Sequence, residues 1–151
     1  MLFRSFEVAV LSGEDVKGQL NAAQEYYCLP ATDDLLKRIQ EKGKFHTDCD
    51  QWIADLSKED FFIGTRVHGV IAALLAGTPA VLITHDNRTR EMADTMGIPS
   101  IAIDDFNIEM LNDYAGMAGN LDFETFNLKT ALNHSRFRDF YLACGISSDW
   151  D

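Results

Sequence analysis

The chain has 151 residues, with 24 acidic against 13 basic side chains and a formal net charge of −11. That balance argues against nucleic acid and against an anionic membrane surface as partners, because both need a basic face. A hydrophobic fraction of 46% and a charged fraction of 25% fit one soluble domain with a real core, and no apolar run approaches the roughly 18 residues that mark a transmembrane helix.

The opening segment carries one Arg and runs quickly into acidic residues without a small-residue cleavage site. Phe6–Leu11 (FEVAVL) alternates and is bounded by Ser12-Gly13, which predicts a strand. Residues 19–28 read as a short helix or loop. Thr32 is a candidate N-cap, and Asp33 and Asp34 suit the first turn of a helix. Leu35, Leu36 and Ile39 give that helix its apolar face, and Gly43 ends it. Residues 44–47 read as a short strand. Asp48 or Asp50 then caps a helix through Trp52, Ile53 and Leu56. The run Phe61–Gly64 is continuously apolar, as expected of a strand covered on both faces. A helix over Val67–Leu75 stops at Gly77 and Pro79, and a strand over Ala80–Thr84 follows. Next come a helix from about Thr89 to Met96, ended by Gly97, and a strand over 100–103. From Phe106 onward the pattern is helical. Ile108, Met110, Leu111 and Tyr114 share a face, and Phe123, Phe126, Phe137, Phe140 and Tyr141 recur at helical intervals, as core residues do.

Strands alternating with helices predict an α/β fold: a Rossmann-like open parallel sheet with helices on both faces, followed by a helical C-terminal segment. We expect one domain over residues 1–151. Cys28, Cys49 and Cys144 are odd in number, widely spaced and without a CxxC pair. They read as reduced thiols of a cytoplasmic protein. His46 and Cys49 form a lone H-x-x-C, too few ligands for zinc. The chain has no GxGxxG, GxxxxGK[ST], GxSxG or HExxH, so neither a cofactor nor a metal is expected.

Cations are scarce in the α/β part. Between Glu59 and Leu128 there is no Lys, and the only Arg residues are Arg66, Arg88 and Arg90. All lie in loops or first helical turns after predicted strands, beside His68 and His85. Ligands of open parallel sheets bind outside the carboxyl ends of the strands, so an anion site is predicted there. Gly64 and Thr65 bring backbone close, and the following helix start offers N–H groups. The Arg66 guanidinium is shaped to grip carboxylate or phosphate. His68 follows in the first turn. The plainer reading is that Arg66 pairs with a structural Asp while His68 packs, and that Arg90 snorkels to solvent.

The stretch from about Gln51 to Ile103 resembles the C-terminal half of the polysaccharide pyruvyl transferase family. The resemblance rests on Asp60, the run Phe61-Phe62-Ile63-Gly64, then Arg66-Val67-His68, Gly77-Thr78-Pro79 and Ala80-Val81-Leu82-Ile83. Where the family often has an aromatic, Asp, one residue and Lys, this chain has His85-Asp86-Asn87-Arg88, a guanidinium in place of an amine. The resemblance implies a GT-B-like donor-side half whose acceptor-side half is missing. It also implies transfer of a pyruvyl ketal group from phosphoenolpyruvate to a sugar in cell-surface or exopolysaccharide synthesis. Read together with the rim chemistry, it points to Arg66 and His68 as catalytic residues and to Gly64, Thr65, Arg66, His85, Arg88 and Arg90 as substrate-binding residues. The implied partners are phosphoenolpyruvate and a sugar or polysaccharide acceptor, with a missing N-terminal half or a second copy completing the protein. Alternatives are a GT-B glycosyltransferase donor domain using a nucleotide sugar, and a non-catalytic anion-binding module.

Overall fold

The computed structural model of the protein describes residues 3–26 and 34–146. They form two compact units, residues 1–48 and 49–151. The parallel sheet lies in the second unit; the described residues of the first are helical.

In the first unit, helix α1 (Phe3–Leu11) packs against α3 (Asp34–Lys42), with a 3₁₀ turn at Lys17–Gln19 and α2 (Leu20–Tyr26) between them. Its core gathers Phe6, Ala9, Val10, Val16, Ala23 and Leu35. The strand expected over Phe6–Leu11 is thus part of a helix. Phe6, Ala9 and Val10 are the buried positions, and that i, i+3, i+4 spacing makes one helical face. The Thr32 cap lies outside the described residues. Residues 44–47 form no strand.

The second unit follows the sequence more closely. Helix α4 (Cys49–Leu56) leads to strand β1 (Phe62–Gly64), helix α5 (Val67–Leu75), strand β2 (Ala80–Thr84), helix α6 (Asn87–Met96) and strand β3 (Ser100–Ala102). The sheet order is β1-β2-β3, with both pairings parallel. Helices α5 and α6 touch each other. Both crossovers therefore lie on one face, as two right-handed connections running in the same direction require. Ala80 and Leu82 join the core cluster with Val70, Ala73 and Ala93. Val81 and Ile83 alternate to the other face and are buried as well, so β2 is covered on both sides.

Two local interactions fix the connections. Thr78 is buried, and its hydroxyl donates to the Leu56 carbonyl at 2.6 Å, tying the end of α4 to the turn before β2. Gly97 closes α6 in the left-handed region, φ +70°, and a Cβ there would come within 2.9 Å of the Thr125 carbonyl oxygen.

After β3 come a 3₁₀ stretch over Ile108–Asp113, α7 (Tyr114–Gly119) and α8 (Phe123–Ala143). The segment is helical, as its periodicity predicts, but many of its apolar residues are not core. Ile108, Met110, Tyr114, Phe137 and Phe140 are exposed; Phe126 is buried. Periodicity reports a helix, not what lies against it. Among the described residues, no helix is long and apolar enough to cross a membrane.

Candidate functional site

Parallel pairing sets Gly64 of β1 opposite Leu82 of β2 and Thr84 opposite Ala102 of β3. The segments leaving β1 and β2, Thr65-Arg66 and His85-Asp86, therefore emerge at the same, carboxyl end of the sheet. Each runs at once into a helix: α5 begins at Val67 and α6 at Asn87. The topology thus brings Gly64, Thr65, Arg66, His68, His85, Arg88 and Arg90 to one rim. All but the half-buried Gly64 are exposed.

The two helix starts differ. Arg66 is the extended N-cap residue of α5 and makes no side-chain capping bond. Its carbonyl accepts from Gly69 and Val70. The opening N–H groups of α5 and their partial positive charge thus remain available at the rim. Among the described residues Arg66, Arg88 and Arg90 take part in no ion pair. Arg66 is therefore not paired with a carboxylate of the described residues.

The start of α6, in contrast, is closed. Asp86 is its N-cap and accepts from the Thr89 amide at 2.7 Å and from the Thr89 hydroxyl at 2.7 Å. The Thr89 hydroxyl oxygen in turn lies within reach of the His85 and Asp86 amides, both 3.3 Å away. Buried Thr89 thus fixes the backbone of the second loop, a role that sequence reasoning missed. Its signal was a capping box with Thr in the third helical position, Asp86-x-x-Thr89. The Asp86 carboxylate also relieves the misfit of Arg88 and Arg90 near a helix N-terminus. It lies 3.8 Å from His85 Nε2, so His85 faces a carboxylate as well as the rim.

Hydrogen bonds from the Thr89 amide and hydroxyl hold the Asp86 carboxyl below its ordinary range, with His85 and Arg88 adding smaller attractions. Asp122, the N-cap of α8, is lowered in the same way by the hydroxyl and amide of Thr125. A carboxyl lowered by folding adds stability above its unfolded pKa and loses that contribution as pH falls through the folded value. Asp86→Asn keeps a capping oxygen but does not titrate. We expect wild type to be more stable than Asp86→Asn at neutral pH, with the gap closing as pH falls below 3.8. Urea unfolding of both proteins across that range checks this; a gap that widens in acid contradicts it.

Gly64 has a local structural reason. A Cβ there would sit 3.0 Å from the Phe62 ring, so the glycine makes room for its own strand neighbour. Two cavities lie away from the rim residues. One, of about 430 Å³, is bounded by Gly97–Ser100, where α6 leads into β3, and by the start of α8. The other, of about 330 Å³, lies between Ile101 and residues 110–121. Neither is lined by a rim residue. Among the described residues, no group of three or more His, Cys, Asp or Glu is placed to hold a metal ion.

Residues 17–87 match the model of the polysaccharide pyruvyl transferase family. The chain is similar to that family across both units. The match begins well before Gln51, where the motif-based resemblance is strong, and ends before β3. It bears on the family and not on a C-terminal half of it. Gly64, Thr65, Arg66, His68 and His85 fall inside the matched stretch; Arg88 and Arg90 fall just beyond it. No curated protein and no solved structure matches the chain.

Proposed function

We propose that this chain is the donor-side unit of a polysaccharide pyruvyl transferase, binding phosphoenolpyruvate at the carboxyl rim of its sheet. The reading is carried by one observation: Arg66 stands exposed and free of ion pairs at the uncapped start of α5, inside the stretch that matches the family. Phosphoenolpyruvate bears a carboxylate and a phosphate. A guanidinium fork, a second Arg and open helix N–H groups suit such a dianionic ligand. In this reading Arg66 grips the ligand, Arg88 makes a second anion contact and Arg90 lends longer-range attraction. Gly64 and Thr65 shape the floor, and His85 stands beside the site. His68, in the first turn of α5, is the general acid and base, a task suited to imidazole chemistry.

Two hydroxyl oxygens of the acceptor sugar bond to C2 of the donor, and the C2–O bond to phosphate breaks. One hydroxyl proton ends on C3, turning the methylene into a methyl group. The other leaves with inorganic phosphate. His68 relays the proton to C3. The acceptor sugar is held by another half of the protein. The setting is cell-surface or exopolysaccharide synthesis in the cytoplasm, where thiols such as the exposed Cys49 and Cys144 stay reduced.

Calorimetric titration with phosphoenolpyruvate tests the reading. One charge-assisted hydrogen bond contributes about 1.5–3 kcal/mol, so Arg66→Ala should weaken binding roughly ten- to a hundredfold. Arg66→Lys should recover only part, since a point charge cannot fork to two oxygens. A nucleotide sugar should bind less well than phosphoenolpyruvate. Equal affinity in all three proteins removes Arg66 from the site, and preference for the nucleotide sugar moves the chain to the glycosyltransferase alternative.

A further inference from the structure

The two sides of the rim are held differently. Arg66 opens α5 without a side-chain capping bond. The β2 side is gripped at both ends. Thr84, the last residue of β2, is buried, and its carbonyl accepts from the Ile103 amide at 2.8 Å. Thr89, the third residue of α6, is 8% exposed, and its hydroxyl is the hub of the segment between them. A hydroxyl has one proton to donate and two lone pairs to accept with. The proton goes to Asp86 Oδ1 at 2.7 Å, closer than the Asp86 carbonyl oxygen at 3.0 Å. The lone pairs face the His85 and Asp86 amides, each at 3.3 Å.

The hold extends to the side chains that face the ligand. The Thr89 amide and hydroxyl both engage Asp86 Oδ1, which fixes the carboxylate and leaves Oδ2 as the oxygen 3.8 Å from His85 Nε2. Arg88 lies between Asp86 and Thr89 in the chain, so its backbone is fixed on both sides. Thr89 is buried and its hydroxyl is fully used by the loop, so it has no bond left for a ligand. Its influence on binding runs through His85 and Arg88. A contact residue that is already ordered loses little further freedom when the ligand arrives, and affinity rises accordingly.

We propose that Thr89 is a positioning residue of the anion site: its hydroxyl holds the segment from His85 to Arg88 in the arrangement that receives the ligand. The proposal rests on the reading of this rim as the phosphoenolpyruvate site, and it adds a residue that sets affinity without touching the donor. Two substitutions separate the hydroxyl from the rest of the side chain. Valine keeps the branched shape but leaves the His85 and Asp86 amides without their acceptor, so the loop shifts to satisfy them elsewhere. Serine keeps the acceptor and loses only a methyl group.

Calorimetric titration of the intact chain with phosphoenolpyruvate tests this, under conditions where circular dichroism shows each variant folded. Thr89→Val should weaken binding roughly tenfold, and Thr89→Ser should stay within about threefold of wild type. A role in folding alone would lower the number of competent sites and leave the affinity of the folded protein unchanged. Coupling discriminates further. Arg88→Ala should weaken binding by a smaller factor in the Thr89→Val background than in wild type, because the valine has already displaced Arg88. Arg66→Ala, on the other loop, should weaken it by the same factor in both backgrounds. Wild-type affinity in Thr89→Val, a Thr89→Ser protein as weak as Thr89→Val, full additivity with Arg88→Ala, or equal coupling to Arg66 and Arg88 overturns the proposal and leaves the site reading standing. A wild-type chain that does not bind phosphoenolpyruvate overturns both. If Thr89→Val does not fold, Thr89→Ala, a better helix former without the hydroxyl, takes its place in the same comparison.

Discussion

Given phosphoenolpyruvate and a sugar polymer, the isolated chain of residues 1–151 should bind the donor and yet form no measurable pyruvate ketal. The reason is the openness of the rim. Every proposed contact side chain is exposed. An open rim can hold an anion, because helix N–H groups and a guanidinium act at short range. It cannot orient a second substrate. Fixing two reactants in a near-attack geometry supplies roughly 7–11 kcal/mol of barrier lowering, a far larger effect than any single contact in the donor site. An open site also lets water compete for the activated C2 centre and screens the charges that would stabilise it. Adding a separately expressed acceptor-side protein should restore turnover, and Arg66→Ala or His68→Ala in this chain should remove it again. Mass spectrometry of the polymer reads the outcome. Robust ketal formation by this chain alone would contradict the reading of it as a donor-side unit. Donor binding without restored turnover would favour an anion-binding module.

The α/β region was legible because its signals are strong and local. Ala80–Thr84 is an apolar run between Pro79 and a polar loop, and it forms a strand at those limits. Val67–Leu75 is a helix at the limits expected. The rim could be read because charge is sparse there, so each Arg carried information. Phe6–Leu11 was ambiguous: Phe6, Val8 and Val10 alternate, yet Phe6, Ala9 and Val10 also fit a helical face. With no strand among the described residues of its unit to pair with, the helical arrangement buries more, and Phe6 is 1% exposed. The pattern puts the start of α6 at about Thr89, whereas Thr89 is the third helical position, hydrogen-bonded to Asp86. For α8 the sequence shows the period and cannot show which turns are covered, which is why its aromatic face reads as core although only Phe126 is buried and Phe137 and Phe140 are exposed.

The second large effect concerns β2, which positions both rim segments. Leu82 is fully buried, pairs with Gly64 on one side and Ser100 on the other, and belongs to the core cluster with Val70, Ala73 and Ala93. Truncating it removes apolar contacts on the α5–α6 face and leaves a cavity that a strand paired on both edges cannot collapse to fill. Leu82→Ala should therefore cost about 2–5 kcal/mol, a large share of the roughly 5–15 kcal/mol by which whole domains are stable. Leu75→Ala, at an exposed position of α5, should stay within about 0.5 kcal/mol of wild type. Urea unfolding followed by circular dichroism separates the two cases. Under folding conditions Leu82→Ala should bind phosphoenolpyruvate with an affinity reduced only by the fraction unfolded, because its side chain faces the core and not the rim. A Leu82→Ala cost below about 1 kcal/mol would mean that β2 is not the centre of this unit, and the shared rim built on its pairing with β1 would lose its foundation.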